Sequence, residues 1–254
     1  MNSISPRSLF TSALKVLEMA FRHLERQVPP PRRKPWKDGF VFRYAEQTIQ
    51  QAIVQKLARI ISGLHAVDAL LEKGLLQEQG MVQRALDEIN EDIIFLSLGV
   101  INNDITARHH EYLKYFYAEE FGDPRNVSDS HSSRGMIRRE KIRAYVNKGA
   151  GSEESRANAA GKILAKAYSG FIHAASPHIM DMCAGEPPRF DIGGMFSHLR
   201  TEHADDALNY FYRSLISMAF AARAFGDEKL FSQVREAATQ FDAAMGAHRR
   251  SNAF

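Results

Sequence analysis

AEQTIQQAIVQKLARIISGLHAVDALLEKG, Ala45–Gly74, decides the fold class. Its apolar residues Ala45, Ile49, Ala52, Ile53, Leu57, Ile60, Leu64, Val67 and Leu71 recur every three or four positions. That is the repeat of one helix face, not the every-second-residue repeat of a strand. Gly74 marks the end, where a glycine commonly takes the left-handed backbone that closes a helix. The same spacing returns on either side. Upstream, Pro6 behind Ser5 suits a first helical turn, and Leu9, Phe10, Ala13, Leu14, Leu17, Phe21 and Leu24 follow in register. Downstream, Val82, Ala85, Leu86, Ile89, Ile93 and Leu96 form another stripe, then Asn102–Thr106 supplies caps for a helix bearing Tyr112, Leu113, Phe116 and Tyr117.

Continuing outward, Met136–Val146 reads as a short basic helix, and Gly149–Ser155 opens another whose Glu153 and Glu154 suit the helix dipole. Two more cover Thr201–Phe225 and Asp227–Ala247, with Asp227 as N-cap. Period-two alternation is sustained nowhere, so strand content near zero is expected. The predicted fold is all-α: a multi-helix bundle of about eight mostly antiparallel helices. Pro29–Pro35, PPPRRKP, reads as a stiff extended linker. Gly122–Gly135, GDPRNVSDSHSSRG, is the clearest break and reads as a mobile loop. It separates an N-terminal helical region, 1–121, from a C-terminal one, 136–254, packed against it as two regions or one domain.

With 254 residues, 44% of them hydrophobic, the chain can bury a sizeable core. A net charge of +3 is too small to argue for nucleic acid alone. Cys183 is the only cysteine, which excludes an internal disulfide and a paired-cysteine zinc site. No run of roughly 20 apolar residues appears, so no membrane span is expected, and the simplest expectation is a cytoplasmic protein. The phosphate-loop, dinucleotide, nucleophile-elbow and HExxH patterns are missing. None of the ten histidines stands three residues after a glutamate, which excludes the ligand pairs of a di-iron bundle. No cofactor is expected.

The stretch richest in chemistry is Tyr168–Phe190, YSGFIHAASPHIMDMCAGEPPRF. Pro177 cannot donate to the carbonyl of His173, so a kink is expected between them. His178 and Asp181 share a face, while His173 points about 140° away on an ideal helix. Two readings stand side by side. In one, Tyr168, His173, His178 and Asp181, with Arg189 folded back, make a polar pocket for acid–base work or a metal. In the other, Tyr168 and His173 are buried and hydrogen-bonded across a helix contact, and the segment is a structural joint. Elsewhere, Glu88, Glu91 and Asp92 beside an apolar run call for a cationic partner such as Arg59, Arg108 or Arg143. The clusters Arg32, Arg33, Lys34 and Lys37 around Trp36, and Arg138, Arg139, Lys141 and Arg143, read either as solvated faces or as tracks for phosphates. His109 and His110 read as surface residues.

The run Gln55–Gly99 followed by YSGFIHAASPHIMDM looks like a family of bacterial all-helical proteins. More remotely, the Tyr-Ser-x-x-x-His element at Tyr168–His173 resembles HEPN-type helical domains. That resemblance covers about half the chain. It implies a helical bundle that dimerises, metal-independent ribonuclease chemistry from an Arg and a His five or so residues apart, and a setting in bacterial defence or stress response. Arg125–His131 and Arg59–His65 have that spacing.

Three functions follow. The first is a helical bundle acting by self-association or by binding a protein partner. The second is a ribonuclease acting on RNA through Arg125 and His131, or through His173 with an Arg from elsewhere. The third is a metal-assisted hydrolase on His173, His178 and Asp181. A C2 homodimer is expected from Thr201–Phe225, whose apolar and aromatic residues nearly encircle the helix.

Overall fold

The structure, a computed structural model, describes residues 5–119, 135–149 and 168–251. Among them α1 spans Pro6–Glu25, α2 Ile49–Glu72, α3 Leu76–Ile101, α4 Ala107–Tyr117, α5 Arg139–Gly149, α6 Ser176–Met180, α7 Leu199–Ala224 and α8 Glu228–Ser251. Two antiparallel strand pairs interrupt them: β1 (Arg32–Trp36) with β2 (Gly39–Arg43), and β3 (Cys183–Ala184) with β4 (Arg189–Phe190). A helical bundle is therefore the fold, as the periodicity predicts.

Helix starts follow their caps. Ser5 Oγ accepts from the Ser8 amide at 3.3 Å with Pro6 in the first turn, and Thr48 and Gln51 form a reciprocal capping box on α2. Asp227 Oδ1 accepts from the Leu230 amide at 2.9 Å and caps α8. Gly74, at φ 69°, takes the left-handed turn after α2, and its carbonyl accepts from the Met195 amide at 2.7 Å.

Helices adjacent in the chain lie antiparallel. Arg7 meets Glu72 and Glu18 meets His65 between α1 and α2; Lys56 meets Asp92 between α2 and α3; Asp205 meets His248 between α7 and α8. α3 and α7, far apart in the chain, run parallel: Gln79 contacts His203 at one end and Asn90 contacts Ser217 at the other. α7 is the central helix, packed by α1, α2, α3 and α8. Phe10 of α1 stacks on Phe211 with ring centroids 4.3 Å apart. One hydrophobic core contains Leu17, Leu57, Ile93 and Leu208, so residues on both sides of 122–135 share it.

Two expectations change here. The apolar residues around α7 are covered inside the chain: Leu208, Tyr210, Phe211, Leu215 and Met218 are buried, and Tyr212, Ile216 and Phe220 are half-buried. The crowding that suggested a dimer is met by four neighbouring helices. Strands are present, and residues 32–43, the end of the proline-rich run and beyond, form a hairpin instead of a linker alone. Trp36 faces Gly39 across the two-residue turn Lys37–Asp38, with Lys37 at φ 51°. Pro35 is tolerated because each strand of a two-stranded ribbon is an edge. The expected loop at Gly122–Gly135 lies, except for Gly135, outside the described residues, as does the helix start at 150–155. No helix of the described residues is long and apolar enough to cross a membrane.

Candidate functional site

The 168–190 segment breaks where a kink is expected. Ala174 takes φ 49° and the Ala175 amide donates back to the Gly170 carbonyl at 2.9 Å, a left-handed closure of the preceding helical turn. Pro177 then sits in the first turn of α6, where its missing N–H costs nothing. The proline starts a new helix and does not bend an old one. His173 is left exposed, with no side-chain hydrogen bond among the described residues. Its expected burial and its pairing with Tyr168 are both absent among the described residues, so it is no part of a structural joint there. Arg189, on β4 opposite Ala184, is exposed and does not fold back. Arg125 and His131 lie outside the described residues.

Tyr168 does serve a joint, with other partners. Its hydroxyl donates to Asp206 of α7, and its ring stands edge-on to Tyr210 at 5.9 Å. Phe171 lies against Gly80 of α3, where an added Cβ would meet the ring at 2.6 Å. His178 packs on Phe171, centroids 4.3 Å apart, and over Gly170. The segment thus docks on a polar seam between α3 and α7. Gln79, Gln83, Asp87 and Asn90, spaced four, four and three, present one face of α3. Opposite stand His203, Asp206, Tyr210, Arg213 and Ser217. Arg213 pairs with Asp87, Ser217 Oγ donates to Asn90 Oδ1 at 2.7 Å, and Gln79 Nε2 donates to the His203 carbonyl at 3.1 Å.

Burial sets the protonation states of the seam. It raises the Asp87 carboxyl despite Arg213 beside it, and it raises the Tyr168 and Tyr210 hydroxyls, with the nearby carboxylates adding to the effect. It lowers the His203 imidazole, against the pull of Asp206 and Asp181. The two tyrosine hydroxyls are thus protonated donors, His203 a neutral imidazole, and Asp87 the acceptor for Arg213 and Tyr210, which suits a fastener between helices. If so, Gly80→Ala, which pushes Phe171 off α3, should speed amide exchange over residues 168–181 several-fold and leave α1 and α2 protected. Unchanged exchange there would contradict the docking role.

The acidic band finds its cations, chiefly in a residue not singled out for that role. Arg139 of α5 donates to Asp92, to Glu91 at 2.7 Å and to the Glu88 carbonyl at 2.8 Å. Arg143 adds Glu91 at 2.7 Å, Lys56 adds Asp92 at 2.8 Å, and the Tyr112 hydroxyl adds Asp92 at 2.7 Å. Arg84 takes Glu88. Of the three arginines expected here only Arg143 takes part; Arg108 instead donates to the Lys141 carbonyl. The basic face of α5 is thus largely spent on α3. His109 is likewise no surface residue: it is fully buried and stacked on Phe95 at 4.1 Å. No group of three or more His, Cys, Asp or Glu among the described residues is placed to hold a metal.

The basic hairpin keeps a free face. Register and period two put Arg32, Lys34, Trp36, Val41 and Arg43 on one side, and Arg33, Pro35, Phe40 and Phe42 on the other. The first side turns inward. Trp36 and Val41 are half-buried, Arg43 forks onto Glu119 at 2.8 and 2.9 Å, and Arg32 approaches Glu46 at 3.5 Å. The second side faces solvent, with Phe40 50% and Phe42 55% exposed. Arg33 shares that solvent side, its guanidinium 4.5 Å over the Phe40 ring. No protein-family model, curated protein or solved structure matches this chain, so the geometry carries the functional reading.

Proposed function

We propose that this chain works by holding a partner, with the helical bundle as scaffold and the β1–β2 hairpin as contact element. The observation that supports it is the outward pair Phe40 and Phe42, edge to face at 5.4 Å, with the Arg33 guanidinium over Phe40 on the same face. Rings that do nothing for the core and stand in water mark a surface meant to be covered. For the ribonuclease and metal-hydrolase readings no site is assembled among the described residues: His173 is exposed, and Arg125 and His131 lie outside them.

The test separates a partner surface from a piece of the fold. Phe40→Ser with Phe42→Ser should leave thermal stability within about 0.5 kcal/mol of the parent, as for surface positions generally. A loss of about 2 kcal/mol or more would make the rings structural and end this reading. Hydrolysis of RNA by the purified protein would replace it with the ribonuclease.

A further inference from the structure

We propose that the outward face of the hairpin and the cleft at its root bind an unpaired nucleic-acid strand, RNA or DNA. This deepens the partner reading above and rests on it. Three observations choose this occupant.

The first is the ring geometry. The Arg33 guanidinium lies 4.5 Å over the Phe40 ring, and Phe42 stands beside it. Guanidinium planes and phenyl faces are the surfaces on which unstacked bases rest, regardless of sequence. The second is the cleft. Phe42 also lines a cavity of about 400 Å³ with Tyr44, Phe116, Tyr117, Gln47 and Arg43. A space of that size, walled by rings, with the Gln47 amide and the Arg43-bound Glu119 carboxylate at its edge, suits one base leaving the platform.

The third is charge. Arg32, Arg33, Lys34 and Lys37 fall within six residues. Arg33 shares the face of the rings; Arg32 and Lys34 lie on the other face, but their side chains are 74% and 57% exposed. Among the described residues they meet carboxylates at 3.5 and 3.8 Å in exposed pairs, which compete weakly with a polyanion. A second copy of this hairpin would bring like charges together, so the charge opposes self-pairing here. An apolar protein surface would leave the cations unused. A duplex hides its base faces. An unpaired strand offers rings for the platform and phosphates for the cations.

The experiment is fluorescence anisotropy of the full chain with labelled oligouridylate and oligothymidylate of about 12 nucleotides, a length within the usual footprint of such sites. A duplex of equal length, polyglutamate and phosphatidylserine vesicles serve as controls. Either strand should bind, and a preference between them names the source. Phe40→Ala and Phe42→Ala should each weaken binding by about tenfold or more, the worth of a stacked base. Log affinity should fall with log salt at a slope near −2, for about three neutralised phosphates, and Arg33→Ala should flatten it by about 0.7. Absence of strand binding overturns the inference. So does equal affinity for duplex, polyglutamate or vesicles, and so does binding indifferent to both rings. Those failures differ from failure of the partner reading, which is decided by the melting of the Phe40→Ser, Phe42→Ser protein.

Discussion

Arg139→Ala is expected to destabilise the fold by about 3 kcal/mol, the penalty for leaving buried carboxylates short of their cation. The guanidinium holds Asp92, Glu91 and the Glu88 carbonyl at once, and its side chain is 18% exposed against 9% for that of Asp92. Burial alone would pull its proton affinity down; Asp92 and Glu91 more than offset that and raise it, so it stays charged at any ordinary pH. Lys56, Tyr112 and Arg143 keep part of the acid cluster satisfied, which holds the loss to the low end for such pairs. Urea unfolding would measure it, and a loss below about 1 kcal/mol would show that α5 contributes little to the bundle.

His109→Ala should cost about 2–4 kcal/mol, from the lost stack and the emptied volume. The ring fills the space between Phe95 and Tyr145, and Nδ1 accepts from the Thr106 amide at 3.1 Å in the role a capping side chain usually plays. Nε2 faces the Phe95 carbonyl at 3.2 Å and so carries the proton. Burial lowers the imidazole below its ordinary value of 6.5. The unfolded chain therefore takes up a proton first as pH falls. Stability from this group is complete above about 6.5 and declines below it as the unfolded state binds more protons. Denaturant titrations at pH 7 and at pH 5 should show a larger acid loss for the parent than for His109→Ala. Equal losses would contradict a neutral, buried His109.

Helices were legible because their signal is local and repeated. Residues 49–72 carry it without interruption, while Ala45, included in the stripe, lies before the cap in non-helical chain; Ser5, Thr48 and Asp227 mark starts by their own chemistry. What failed was non-local. Pro177 follows a residue four before it that a helix would need, yet whether the chain bends or restarts depended on Ala174 accepting a left-handed backbone, which no alanine advertises. His109 resembled a surface residue because its neighbours are charged; Phe95 and Gly99, a helix away, make the slot that buries it. The seam partners His203, Asp206 and Arg213 lay in a stretch read only for its apolar side, although their spacing of three and seven was visible. The hairpin carried one cue, the Asp38–Gly39 pair, one residue out of step with the Lys37–Asp38 turn that forms. It was masked because the alternating residues were cations and proline where a strand usually shows apolar side chains.

Amide hydrogen exchange on the whole chain, with and without saturating oligouridylate, tests most directly whether function sits on the hairpin or in the polar seam. Slowed exchange is expected only in residues 32–47 and the adjoining end of α4, with 168–181 and α7 unchanged. Protection of 168–181 and α7 instead, or no protection anywhere, would contradict it.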